Sequence, residues 1–429
     1  MVTRVIETQA AAERAYLVAV EDGRSAFDID RSLEELATLV RTAGAEVVGR
    51  SVQRRSRPDP ATYVGKGKVT EIAAEKGLTG FDLLVADDEL APSQQKNLEE
   101  RLDVRVIDRS AVILDIFAKH AQSHEGRLQV ELAQLQYRLP RLAGIGRELS
   151  RLGGGINTRG PGETKLESDR QIIRRRITDV RRRIEDVRAH RERVRRGRDE
   201  ERLFLASLVG YTNAGKSTLL NALTGADVLV ADQPFATLDP TTRRLELGGG
   251  RVVLLSDTVG FIQKLPPALV AAFRATLEEL GLADVLVHVA DVASPELHAE
   301  MKTVDAILRE LGLGERPRLV VFNKVDLLAD QPARRQALAA EFPAAHFASA
   351  RTGDGLAEIH EALRREASAG WRRVRVTIPY GSTALLQRVR ERGALLREEY
   401  GEAGITLEAN VPPDLAGELR ERNVSARGA

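Results

Sequence analysis

Hydrophobic positions along the chain follow three different periods. From 15 to 107, short apolar runs alternate with stretches of helical period at 32–43, 67–77 and 92–102. The runs are Ala15-Tyr-Leu-Val-Ala-Val20, Ala45-Glu-Val-Val48, Asp82-Leu-Leu-Val-Ala86 and Val104-Arg-Val-Ile107. Runs this short suit buried strands, and strand–helix alternation predicts a small parallel α/β domain. The period then changes. Leu128, Leu132, Leu135, Leu139 and Leu142 recur at steps of four and three, as do Ile173, Ile177, Val180, Ile184, Val187 and, after one missing step, Val194. Two such seams joined by a glycine-rich stretch predict an antiparallel helical hairpin with coiled-coil packing.

Strand-like runs return after 201, at 202–209 and 252–255. From 370 the pattern reads as a strand (374–379), a helix (383–400), a strand (405–409) and a short helix from Pro413. Because Gly210-Tyr-Thr-Asn-Ala-Gly-Lys-Ser217 follows the run at 202–209 and fits the phosphate-loop pattern, the expected fold class is α/β: an N-terminal α/β domain with a long antiparallel helical hairpin, a central P-loop (Ras-like) domain and a small C-terminal α+β domain. The expected boundaries are 1–115, 116–200 with its glycine-rich loop at 143–164, 201–368 and 369–429.

The central region carries four segments in the order and spacing of a GTP site. Gly210, Tyr211, Thr212, Asn213, Ala214, Gly215, Lys216 and Ser217, followed by Thr218, fit G-x-x-x-x-G-K-[ST] between a strand and a helix. The glycines let backbone N–H groups wrap phosphates, Lys216 reaches the outer phosphates, and the Ser217 hydroxyl ligates Mg²⁺. Asp257, Thr258, Val259 and Gly260 follow a second apolar run, with Asp257 expected to hold the metal and the Gly260 N–H to meet the terminal phosphate. Between these, Phe235 to Arg243 are expected to form a threonine-rich loop of the kind that closes over Mg²⁺ and the γ-phosphate, with Phe235, Ala236, Thr237, Leu238 and Asp239 at the nucleotide; Thr237 is the first choice of metal ligand, with Thr241 and Thr242 as alternatives.

Asn323, Lys324, Val325 and Asp326 select the base, because guanine offers a pair of N–H donors that a carboxylate accepts and adenine does not. Ser349, Ala350 and Arg351 complete the set, the Ala350 N–H being expected to meet the guanine carbonyl. Lys216, Thr237 and Gly260 are the expected catalytic groups. Two residues modify this picture. Phe261 stands where many GTPases have a water-orienting glutamine, so intrinsic hydrolysis should be slow without a partner or a second ion. Asn213 either holds K⁺ against the phosphates or satisfies its own loop backbone.

Composition adds one decisive feature. The chain has 429 residues, 43% of them hydrophobic, and a net charge of only +1. That balance conceals the stretch 170–198, with thirteen arginines against four acids. The bias is too one-sided for i,i+4 pairing, which favours RNA phosphate over a merely solvated helix. Arg147, Arg151 and Arg159 in the glycine-rich stretch and Arg174, Arg175, Arg181 and Arg182 on the helix are the expected contacts. The chain lacks cysteine, so disulfides and thiolate metal sites are excluded. With no apolar run near 18 residues and no signal peptide, a soluble cytoplasmic protein is expected.

Several segments together resemble the HflX family of ribosome-associated GTPases: Tyr63-Val-Gly-Lys-Gly-Lys68, Pro92-Ser-Gln-Gln95, Val106-Ile-Asp-Arg109, Gly153-Gly-Gly-Ile-Asn-Thr-Arg-Gly-Pro-Gly-Glu-Thr164, the 210–217 loop and Phe235-Ala-Thr-Leu-Asp239. By itself, the 63–68 segment reads as a turn and helix start more readily than as a phosphate contact. The resemblance implies a Mg²⁺-dependent GTPase that binds the 50S subunit or 70S ribosome, is stimulated by it and splits or rescues ribosomes under stress. It also implies a monomer when free. The competing expectation is an RNA-binding anti-association or 50S assembly factor in which GTP acts only as a conformational switch.

Overall fold

The computed structural model describes residues 12–23, 27–142, 161–196, 203–225, 234–235, 241–248, 251–266, 269 and 278–426. The chain forms two compact units. One comprises 1–197 together with 231–239 and 260–277; the other comprises 198–230, 240–259 and 278–429.

The first unit contains β1 (Arg14–Glu21), α1 (Ile29–Thr42), β2 (Glu46–Arg54), α2 (Lys66–Thr79), β3 (Leu83–Ala86), α3 (Pro92–Leu102), β4 (Arg105–Asp108) and α4 (Arg109–His120). The strands lie in the order β2-β1-β3-β4, all parallel, as the strand–helix alternation requires. β1 is buried from Ala15 to Val20, and β3 along its whole length. Local chemistry sets the helix starts. Pro92 opens α3, where the Gln94 side chain accepts the Ala91 N–H at 2.9 Å, and the Asp108 carboxylate caps α4 by accepting from Ala111 N at 3.0 Å.

The hairpin follows as α5 (His124–Arg141) and α6 (Pro161–Arg196). The two predicted seams meet: Leu128 and Leu132 are buried against Ile177, Val180 and Ile184, with Leu135, Leu139, Ile173 and Val187 packed alongside. Helix α6 already begins at Pro161, inside the stretch expected to be loop.

The second unit holds a six-stranded sheet and a three-stranded one. Its elements are β5 (Phe204–Val209), α7 (Lys216–Thr224), β6 (Thr241–Glu246), β7 (Val252–Asp257), β8 (Val285–Asp291), α8 (Leu297–Glu310), β9 (Arg318–Asn323), α9 (Pro332–Glu341), β10 (His346–Phe347) and α10 (Leu356–Ala367). The order β10-β9-β8-β5-β7-β6 is parallel except for the edge strand β6. One face of this sheet packs Leu208, Val253 and Val287 against Leu219, Leu220 and Leu223 of α7 and Ile359 and Leu363 of α10. A separate cluster joins Ala290 and Phe322 to Leu297 of α8 and Leu338 of α9.

The C-terminal module is β11 (Arg372–Ile378), α11 (Thr383–Arg392), β12 (Ala394–Gly401), β13 (Gly404–Val411) and α12 (Pro413–Ala426), with antiparallel order β11-β13-β12. Here the sequence expectation of one helix over 383–400 is corrected. The helix stops at Arg392 and 394–401 is a strand. At Gly393 a Cβ would stand 2.6 Å from the Val389 carbonyl oxygen and 2.9 Å from Val411, so only glycine permits the turn into the sheet. Pairing of Leu395–Tyr400 with β13 then overrides the helical preference of the Leu-, Arg- and Glu-rich stretch.

Candidate GTP site

The phosphate loop joins the end of β5 to the start of α7. Gly210 has φ 155°, and a Cβ there would lie 2.1 Å from the Val289 carbonyl oxygen of the neighbouring strand. At Gly215, with φ 87°, a Cβ would meet Asn323 Nδ2 at 2.3 Å. Asn213 also takes a left-handed backbone. Left-handed positions inside a turn are the condition under which successive N–H groups converge on an anion. Lys216 is buried, donating Nζ to the carbonyls of Tyr211 (2.9 Å) and Gly210 (3.3 Å), and burial lowers its pKa to about 8.

Asp257, at the end of β7, is fully buried and accepts the Ser217 hydroxyl at 2.6 Å. Two hard oxygen donors, a carboxylate and a hydroxyl, therefore converge beside the phosphate loop. That donor set fits Mg²⁺, which prefers carboxylate and hydroxyl oxygen. Thr258 instead ties β7 to β5, its hydroxyl donating to the Leu208 carbonyl at 2.6 Å. The loop expected to run to Arg243 instead gives way at Thr241 to β6, whose pairing with β7 takes over: of the alternative metal ligands, Thr242 has its hydroxyl on Ser256 Oγ at 3.2 Å, and Thr241 is the register partner of Asp257. Thr237, with Ala236, Leu238 and Asp239, lies outside the described residues.

The segments expected to select the base are bound to the phosphate loop directly. Asn323 closes β9, and its Nδ2 donates to the Ala214 carbonyl at 2.9 Å while its Oδ1 accepts the Ala350 N–H at 3.0 Å. The Ala350 amide, expected on guanine, is thus engaged by Asn323. Ser349 Oγ donates to Asp326 Oδ1 at 2.7 Å and orients that carboxylate. Lys324, with φ 68°, donates to Asp291 at 2.7 Å, a partner at the end of β8 that the motifs did not reveal. Val325 is part of the apolar cluster, and Arg351 is exposed.

In the first unit, Phe235 is buried with its ring centroid 4.5 Å from that of Phe117 on α4. Phe261, directly after Gly260, is buried as well. The nearby amide of Gln263 donates to Ser32 Oγ at 3.3 Å. On the hairpin, Arg174, Arg175, Arg181 and Arg182 are exposed. Arg182 pairs with Asp179 (2.8 Å) and Arg174 approaches Glu167 (3.7 Å), whereas Arg175 and Arg181 make no ion pair among the described residues. Arg147, Arg151 and Arg159 lie outside those residues.

Fold and site together define a P-loop GTPase. Models of known families match the chain in three consecutive stretches: a GTP-binding GTPase N-terminal region at 30–118, a GTP-binding GTPase middle region at 120–198 and a 50S ribosome-binding GTPase at 206–324. The GTPase HflX of Caldanaerobacter subterraneus subsp. tengcongensis is 48% identical over 413 residues, covering 96% of this chain and 94% of that protein. The GTPase HflX of Escherichia coli K12 is 41% identical over 406 residues, covering 94% of each. The chain belongs to the HflX family of GTPases. A solved GTP-binding protein of Sulfolobus solfataricus in complex with GDP is 26% identical, covering 83% of this chain and 99% of that one, with a TM-score of 0.43. Among the described residues no helix is long and apolar enough to cross a membrane.

Proposed function

We propose that this GTPase binds Mg²⁺ and GTP at the site described and hydrolyses GTP to GDP under stimulation by the 50S subunit or 70S ribosome, acting in the cytoplasm to split or rescue stalled ribosomes. The observation that carries the reading is the Asn323–Ala214 bond, which makes the base-selecting and phosphate-binding segments one rigid site. Asp326 then accepts the guanine N–H pair and the Lys324 stem covers the base. Lys216 moves its ammonium from backbone carbonyls to the outer phosphates, and the phosphate loop amides take the remaining oxygens. Ser217, Asp257 and Thr237 would hold Mg²⁺, which when bound neutralises charge on the β- and γ-phosphate oxygens. Gly260 presents its N–H to the γ-phosphate.

The exposed arginine face of α6 and the match of 206–324 to a family described as binding the 50S ribosome support the ribosome as partner. Among the described residues after Gly260, Phe261 is buried and the Gln263 amide is engaged by Ser32, so neither is placed to orient water. That favours slow turnover until the ribosome contributes a group that does so. The same observation keeps alive the second reading, an RNA-binding anti-association or assembly factor with GTP as a switch. Multiple-turnover hydrolysis with and without 50S subunits, together with splitting of 70S ribosomes in a non-hydrolysable analogue, separates them. No stimulation by 50S sinks the first reading; splitting that persists in the analogue makes hydrolysis a recycling step.

A further inference from the structure

Two buried acids stand side by side at the carboxyl edge of the first unit's sheet. Ala86 and Asp108 are register partners, so Asp87, the residue after β3, lies next to Asp108 at the end of β4. Both are fully buried, and each holds a cation from a distant part of the chain. Asp87 accepts from Lys264 Nζ and Arg109 Nη2, both at 2.5 Å, and from Ser32 Oγ at 2.7 Å; Lys264 also reaches Asp88 at 2.6 Å. Asp108 accepts from Arg141 Nη2 at 2.8 Å and from the Tyr137 hydroxyl at 3.0 Å. Arg109 is the next residue after Asp108, so one peptide unit and the β3–β4 ladder join the two sites.

The two cations belong to functionally different segments. Lys264 lies four residues beyond Gly260, in the stretch that rearranges with the γ-phosphate in GTPases, and its φ of 54° is one that lysine seldom adopts. Arg141 is the last residue of α5, at the base of the hairpin. It stacks on the Tyr137 ring at 3.5 Å and donates to Leu90 O and Gln95 Oε1. Withdrawal of Lys264 would leave the Asp87 carboxylate with Arg109, already shared with Glu35, as its only charged partner among the described residues, an under-compensated charge in a buried place. Such a seat is either filled or vacated, and an intermediate position has no support.

We propose that Lys264 and Arg141 are positioning residues that couple the hairpin to the nucleotide through the shared edge formed by Asp87, Asp108 and Arg109. The ribosomal consequence rests on the function proposed above; the coupling itself does not.

Hydrogen exchange of the full chain, with and without a non-hydrolysable GTP analogue, tests the coupling alone. Analogue binding changes exchange of the amides of Arg138, Leu139, Arg141 and Leu142, at the end of α5, by about tenfold, within the usual range of allosteric coupling. Lys264→Met binds the analogue but abolishes that change, and Lys264→Arg restores it. No change in the unaltered protein, or an equal change in Lys264→Met, overturns the proposal. With 50S subunits, Lys264→Met and Arg141→Gln keep unstimulated turnover and 50S binding within about threefold and lose most of the stimulation, and the double variant is no worse than either single one. Full stimulation of both single variants overturns it too. Failure of 50S to stimulate the unaltered protein would count against the proposed function, while the exchange result still decides the coupling.

Discussion

The side chain of Asn323 joins two motifs separated by more than a hundred residues, donating to the Ala214 carbonyl at 2.9 Å from a position only 2% exposed. Its oxygen takes the Ala350 N–H, so one amide spans the phosphate loop and the 323–326 and 349–351 loops. Asn323→Ala removes both bonds and leaves polar backbone groups without partners. At about 1–3 kcal/mol for a group left unsatisfied, GDP and GTP-analogue affinity should each fall roughly tenfold or more. Equilibrium titration with a fluorescent nucleotide checks this, and unchanged affinity would separate the two motifs energetically.

Lys216 supplies a pH dependence. Burial lowers its pKa from 10.5 to about 8 in the form without nucleotide, and phosphate favours the charged form. Binding above pH 8 therefore takes up a proton, so affinity stays level below that pH and weakens above it, by up to about tenfold per pH unit. Calorimetry at pH 8.5 in buffers of different ionisation enthalpy should show proton uptake. A level affinity from pH 7 to 9.5 would contradict the assignment.

His288 on β8 is buried and held neutral, its pKa lowered to about 4, first by burial and then by Arg318. The unfolded chain takes up this proton near pH 6.5 and the folded chain does not. Stability from this group is thus complete above pH 6.5 and declines as pH falls towards 4, by about 1.4 kcal/mol per pH unit. Denaturant midpoints for His288→Gln should fall less steeply between pH 6.5 and 4.5 than those of the unaltered protein. Parallel profiles would assign the acid sensitivity elsewhere.

Arg175 and Arg181 are exposed on α6 and make no ion pair among the described residues. Replacing both with glutamine should weaken 50S binding and reduce the steepness of its salt dependence by about one to two in log–log slope, one per lost phosphate contact. Basal GTP turnover should be unaffected. An unchanged slope would return this helix to a purely packing role.

Much of this molecule was legible in local sequence. The parallel strands could be read from apolar runs, because strands buried on both faces tolerate little else. The hairpin could be read from its period of 3.5, and GTP binding from motifs whose residue types are dictated by the ligand. Other residues carried a signal without a reason. Gln95, Asp108 and Arg109 stood out in the chain as family-like segments, yet their roles as partners of Arg141 and Asp87 depend on side chains far away in sequence. Asp291 and Lys264 gave no signal, since a lone charged residue near a strand end is ordinary.

The sequence by itself determined the nucleotide, the arginine face and the order of the elements, because each depends on chemistry contained within a few neighbouring residues. Tertiary structure decided what those residues are engaged with. It turned 394–401 into a strand, since pairing with β13 outweighs local preference, and it made Asn323 the junction of three loops. It also brought Lys264 and Arg141 to adjacent strand ends, a meeting that only the fold of the chain in space can arrange.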